Sequence, residues 1–169
     1  MSLVSIIIPT YNESKNLPLL VEEIFSVLKG SEHDVELIIV DDNSPDGTAS
    51  LVNELIRKID NKIYIINRPN KLGLGKAYKE GFLWALEKQY EYIFEMDADF
   101  SHNPNEIRKN ISIFNKKKLD LLIASRYLKN SKIIDWPINR KIFSKISNLL
   151  AKFLLKIPVS DYTNGFRIY

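Results

Sequence analysis

Asp97 and Asp99 stand two residues apart at the end of an apolar run, Tyr92-Ile93-Phe94-Glu95-Met96. Two carboxylates at that spacing, where a strand runs out into a loop, can share one divalent cation, and such a cation can hold a diphosphate. A lone D-x-D is a weak signal, because a chain of this length contains about one by chance. Its position strengthens it, since ligands of open α/β sheets bind beyond the carboxyl ends of the strands. The plainer use of the same acids is to cap the next helix, because Asn103-Pro104-Asn105 follows.

Two other strand ends carry matching chemistry. Pro9, Tyr11 and Glu13 follow the first apolar run and offer an aromatic face for a base and a carboxylate for ribose hydroxyls. Asp41 and Asp42 follow the second, where acceptor oxygens can take a base N–H or a ribose hydroxyl. In a parallel sheet these ends share one edge, so residues distant in sequence converge. Gly73-Leu74-Gly75-Lys76-Ala77 suggests a phosphate loop but fails in detail. Tyr78 fills the third glycine position of a dinucleotide fingerprint, and for a Walker motif Asn70 and Ala77 stand where Gly and Ser or Thr belong. Arg126, Arg140 and Ser144 form a further polar group. Arg140 and Ser144 are four apart near a helix start, and arginine and a helix N-terminus both suit a phosphate, although a surface ion pair would use the same side chains.

The elements that must position these residues alternate strand and helix. Apolar runs predict strands at 4–9, 35–40, 63–67, 92–96 and 121–125, and helical periodicity predicts helices at 17–28, 48–59, 75–88 and 105–116. Near-continuous apolar strands between amphipathic helices predict a mostly parallel α/β sheet covered on both faces, in one domain. The last segment differs. Ile142, Phe143, Ile146, Leu149, Leu150, Phe153, Leu154 and Ile157 recur at helical spacing between Arg140, Lys141, Lys145, Lys152 and Lys156. That predicts a basic amphipathic helix over 140–157, which either packs on the sheet or lies in a membrane interface.

Composition narrows the classes. Without cysteine there are no disulfides, zinc thiolates or thiol nucleophiles, and a reducing compartment is permitted. Residues 126–169 carry 9 basic and 2 acidic side chains, against 15 and 19 in residues 1–125, so an anionic partner is expected at the basic end. No apolar stretch reaches the 18 or so residues of a membrane span.

The blocks S-I-I-I-P-T-Y-N-E, V-D-D-N-S-P-D-G-T, R-P-N-K-L-G-L-G-K-A-Y, M-D-A-D-F-S-H-N-P, S-R-Y and D-Y-T-N-G-F-R-I-Y run in order from residue 5 to residue 169. Together they resemble the polyprenol-phosphate (dolichol-phosphate) mannosyltransferases, family 2 glycosyltransferases of GT-A (nucleotide-diphospho-sugar transferase) fold. The resemblance implies a Rossmann-like sheet and one catalytic domain over residues 1–169, shortened at its C-terminus relative to the family. It implies transfer of mannose from GDP-mannose to a polyprenyl or dolichyl phosphate with inversion, at the cytoplasmic face of a membrane and with no nucleic-acid partner. Pro9, Tyr11, Glu13, Val40 and Asp42 would hold the nucleoside. Asp97, Ala98 and Asp99 would hold Mg²⁺ or Mn²⁺ with the diphosphate. Arg126, Arg140 and Ser144 would surround the acceptor phosphate, with Arg126 also reaching the donor and acting in catalysis beside Asp97 and Asp99. Some members place Gln two residues after the second metal Asp, where this chain has Ser101, a weaker ligand. The rival expectations are a UDP-glucose-dependent polyprenol-phosphate glucosyltransferase and a non-catalytic nucleotide-binding domain that docks on membranes.

Overall fold

The computed structural model describes residues 2–59, 62–128 and 138–169, apart from the side chains of Ser2, Ile138, Arg140 and Lys141. Strands β1 (Ser2–Thr10), β2 (His33–Asp41), β3 (Ile63–Asn67), β4 (Tyr92–Glu95), β5 (Leu122–Ile123) and β6 (Arg167–Ile168) form one sheet in the order β3-β2-β1-β4-β6-β5. β1, β2, β3 and β4 pair in parallel, whereas β6 runs antiparallel to both β4 and β5. The sheet is therefore mostly parallel, as expected, with one short reversed strand that no periodicity announced.

Both faces of the central strands are dry because successive residues of β1 point to opposite sides. Ile6 and Ile8 join a core with Leu17, Leu20 and Ile24 of α1 (Leu17–Leu28), Val52 of α2 (Thr48–Lys58) and Ile111 of α4 (Ile107–Lys117). Ile7 joins the opposite core with Ala77, Tyr78 and Ala85 of α3 (Leu74–Glu87). Gly81 lets α3 approach that closely, because a Cβ there would stand 2.4 Å from Ile7 Cγ2. A 3-10 turn, Pro104–Glu106, starts α4 two residues later than the sequence pattern suggests. Asn103 caps that turn by accepting the Asn105 N–H.

The last helix, α5 (Ile138–Leu155), reverses the usual arrangement. Among its described side chains Ser144 and Asn148 are the buried ones, while Phe143, Ile146, Leu149 and Phe153 face outward. The apolar stripe is thus present but does not pack on the sheet.

Candidate active site

The loops after β1 and β2 are tied together before any ligand is considered. The Asn12, Glu13 and Ser14 amides donate to Ser44 Oγ (3.0 Å), Thr48 Oγ1 (3.1 Å) and Asp46 Oδ2 (3.0 Å). Asn12 (φ 63°) and Asn43 (φ 58°) take the left-handed turns, which Asn adopts more readily than most residues. Burial acts to raise the Asp46 pKa, yet hydrogen bonds from Thr48 and Ser14 outweigh it and hold the carboxyl well below its ordinary value. Asp41 is the bolt of this assembly. Its Oδ1 accepts from Thr10 Oγ1 (2.8 Å) and Ser44 Oγ (2.6 Å), and its Oδ2 accepts from the Ser44 amide (2.8 Å).

Pro9, Tyr11, Glu13, Asp42, Asp97, Ala98 and Asp99 border one cavity of about 280 Å³ at the carboxyl edge of the sheet. Sequence reasoning brought those seven to a common place; Asp41 and Val40 are buried outside the cavity lining. Thr10, Lys71, Gly73, Leu74 and Ala77 also line it, and Lys71 Nζ lies 3.6 Å from the Tyr11 ring centroid. Asp42 is held from behind. The buried guanidinium of Arg68 bonds its Oδ1, and the Gly73 amide donates to its Oδ2 at 3.1 Å. Arg68 Nε also faces Glu80 at 3.3 Å. Arg68 and Lys71 open the R-P-N-K-L-G-L-G-K-A-Y block, in which only the glycine-rich stretch resembles a known phosphate-binding pattern.

Asp97 has partners on two sides. Tyr78 Oη donates to its Oδ1 at 2.9 Å, and its own amide donates to His102 Nδ1 at 3.0 Å. Burial, and then the Asp97 charge, push the Tyr78 pKa far up, so the phenol stays a donor. Asp99 accepts the Ser101 amide at 3.0 Å. Burial would raise the Asp99 pKa, but the Ser101 bonds prevail and lower it. Among the described residues no group of three or more His, Asp or Glu side chains converges on a metal position. Two carboxylates bordering one open cavity still fit Mg²⁺ or Mn²⁺, because such ions accept one or two protein carboxylates and complete their shells with water and phosphate oxygens.

A second cavity, of about 430 Å³, shares Leu74 and Asp97 with the first and extends to Thr163, Asn164 and Arg167. Its Thr163 wall leads to the basic group. Arg126 donates from Nε and Nη2 to Asp161 at 2.8 and 2.9 Å, and from Nη2 to Thr163 Oγ1 at 2.7 Å. Desolvation of Asp161 opposes ionisation, but the Arg126 hydrogen bonds and charge lower its pKa. Ser144 Oγ lies 2.6 Å from Tyr127 Oη and 3.4 Å from Thr163 Oγ1, so Arg126 and Ser144 meet through Thr163. The Arg140 side chain lies outside the described residues. Asp161 and Thr163 were visible in sequence only as part of the closing D-Y-T-N-G-F-R block.

The sequence profile of the family described as Glycosyl transferase family 2 matches residues 5–169. The chain belongs to that family. This family 2 chain is 40% identical over 164 residues to the polyprenol monophosphomannose synthase of Mycolicibacterium smegmatis, covering 97% of this chain and 60% of that protein. It is 36% identical over 163 residues to the undecaprenyl-phosphate mannosyltransferase of Micrococcus luteus, covering 96% and 64%. The family 2 chain thus spans just under two thirds of the length of these curated relatives. Its fold is that of GT-A glycosyltransferases. The mannosyltransferase PcManGT from Pyrobaculum calidifontis, solved with GDP-Man and Mn²⁺, superposes with a TM-score of 0.61 at 19% identity, over 72% of this chain and 35% of that one.

Proposed function

We propose that this protein transfers mannose from GDP-mannose to a polyprenyl phosphate, with inversion and with a divalent cation held by Asp97 and Asp99. The observation that carries the reading is the single cavity in which Tyr11, Glu13 and Asp42 from two strand ends border Asp97 and Asp99 from a third. Two relatives named for mannose transfer to polyprenol carriers support the acceptor class, and a neighbour of the same fold holding GDP-Man and Mn²⁺ supports the donor and the cation.

The chemistry asks for positioning more than for proton transfer. The acceptor phosphate is largely ionised at neutral pH, its second pKa being about 6, so no dedicated base is required. A phosphate oxygen attacks the anomeric carbon, the bond from that carbon to the diphosphate oxygen breaks, and GDP leaves with the electron pair; in-line displacement inverts the centre. The cation, when bound, supplies Lewis-acid stabilisation of the charge that builds on the diphosphate. Tyr11 offers its ring to the base, and Glu13 its carboxylate to the ribose. Asp42, fixed by Arg68 and Gly73, adds a pre-oriented acceptor. Arg126, set by Asp161 and Thr163 beside the second cavity, directs the acceptor phosphate toward the sugar together with Ser144 and Arg140.

The lipid carrying that phosphate lies in a bilayer, and α5 supplies the contact. Its outward Phe143, Ile146, Leu149 and Phe153 alternate with exposed Lys145 and Lys152, which suits an anionic membrane surface at the cytoplasmic face. Among the described residues no helix is long and apolar enough to cross a membrane.

The test is transfer of radiolabel from GDP-mannose to polyprenyl phosphate in anionic vesicles with Mn²⁺. Chelator-sensitive labelled lipid is the expected result. Label from UDP-glucose instead would establish the glucosyl donor, and nucleotide binding without any labelled lipid would establish the non-catalytic docking domain.

A further inference from the structure

His102 and Asn164 lie 62 residues apart in sequence, yet they meet directly behind the D-x-D turn. The Asp97 amide donates to His102 Nδ1 at 3.0 Å, so that nitrogen carries the lone pair and the ring proton sits on Nε2. Nε2–H then points at Asn164 Oδ1, 3.1 Å away. The Asn164 amide cannot turn over, because its Nδ2 donates to the Ala124 carbonyl and its Oδ1 also accepts the Phe166 amide at 3.2 Å. The imidazole is buried and lies flat against Phe166, with ring centroids 5.2 Å apart and planes 12° from parallel.

This fixed ring forms one wall of the Asp97 carboxylate. His102 Nε2 stands 3.6 Å from Asp97 Oδ2, while Tyr78 holds Oδ1 from the other side. Below them runs Gly165, where a Cβ would stand 3.4 Å from both Asp97 carboxylate oxygens and from His102 Cε1. The turn also contains Phe100 in the left-handed region, φ 60°, which a bulky residue rarely adopts and which persists only when its surroundings dictate it. The Asp97–His102 bond closes that turn from end to end, and the Ser101–Asp99 bond closes its centre.

We propose that His102, clamped by Asn164, is a positioning residue that sets the Asp97 carboxylate for the divalent cation. The inference rests on the reading that Asp97 and Asp99 hold that cation. His102 lines neither cavity; it acts through the Asp97 amide and beside the Asp97 carboxylate. Partners that orient a ligating carboxylate are commonly worth about 10–100-fold in metal affinity. A merely structural histidine would instead alter stability and leave metal affinity alone.

Two substitutions divide the ring into its halves. His102→Asn places an amide oxygen where Nδ1 accepts from Asp97, whereas His102→Gln places its amide nearer the Nε2 position and leaves the Asp97 N–H without its acceptor. The measurement is Mn²⁺ affinity in the presence of GDP, by electron paramagnetic resonance of free Mn²⁺, alongside GDP affinity in chelator and the melting temperature. His102→Gln should weaken Mn²⁺ binding about 10–100-fold with GDP affinity in chelator unchanged. His102→Asn should recover most of the loss, and Asn164→Leu should reproduce part of it. Wild-type Mn²⁺ affinity in His102→Gln would overturn the proposal. So would equal losses in the Asn and Gln variants that follow their melting temperatures. If wild type and Asp99→Ala bind Mn²⁺ alike, the metal site itself fails, which is a separate outcome.

Discussion

Around the first cavity the loop carboxylates are paired, although Arg68 Nε and Nη2 are buried without a hydrogen bond, and the helices behind it bury apolar stripes. By contrast, α5 turns Ser144 and Asn148 inward and leaves Phe143 and Phe153 73% and 76% exposed. The Asp41 oxygens, the Asp46 oxygens and the Asp42 oxygens all have donors within the protein. That side is finished: its loops hold their shape without a ligand, so binding loses little entropy in ordering them. The α5 side is polar toward the protein and apolar toward its surroundings. Apolar area left outward in this way marks a surface meant for a neighbour other than water. On the proposed function, the rigid region would serve the donor and α5 the lipid-borne acceptor.

The largest effect is expected at the D-x-D pair. Asp99→Ala removes one of two carboxylates and should abolish Mn²⁺-dependent GDP binding in calorimetry while the far-ultraviolet circular dichroism stays native. Asp161→Ala comes next. It strips a fully buried partner from Arg126 and should cost about 3 kcal/mol in denaturant unfolding, the lower end for a broken buried pair because Arg126 can turn toward solvent. The sign of its pH dependence follows from the depressed pKa: the contribution is complete above the ordinary carboxylate value of 3.8 and is lost as pH falls through the lower folded value. Asp161→Asn should therefore remove that part of the acid-unfolding limb. On the open side, Lys152→Glu with Lys156→Glu should weaken co-sedimentation with anionic vesicles by about 1 kcal/mol per lysine or more, an effect that salt screens. Binding equal to wild type would make α5 a face for a protein neighbour rather than for lipid. The smallest effect is at Gly81. Alanine is better than glycine in a helix by about 1 kcal/mol. A Cβ only 2.4 Å from the stiff, buried Ile7 costs about 1–3 kcal/mol, so Gly81→Ala should lower stability by a net of about 1 kcal/mol.

The sheet was legible wherever burial on both faces leaves an unbroken apolar run, as in β1, β2 and β4, and the acids at those strand ends marked the cavity. Residue type alone could not separate adjacent Asp41 and Asp42, and only the family resemblance singled out Asp42; the structure shows which of them meets Thr10 and which meets Arg68. β6 was illegible for a different reason. It has two residues, and its pairing with Phe94 and Leu122 depends on chain closure across the whole domain. The α5 periodicity was plain, yet periodicity says which residues share a face and not what medium covers it. His102 stood alone in sequence, and its partner Asn164 is brought to it only by β6.

The most direct measurement is a calorimetric titration of this chain with GDP-mannose and UDP-glucose, in Mn²⁺ and in chelator. GDP-mannose should bind more tightly than UDP-glucose, Mn²⁺ should strengthen the binding, and Asp99→Ala should abolish the Mn²⁺ effect. A preference for UDP-glucose, or GDP-mannose affinity that is the same with Mn²⁺ and chelator, would contradict the proposed function.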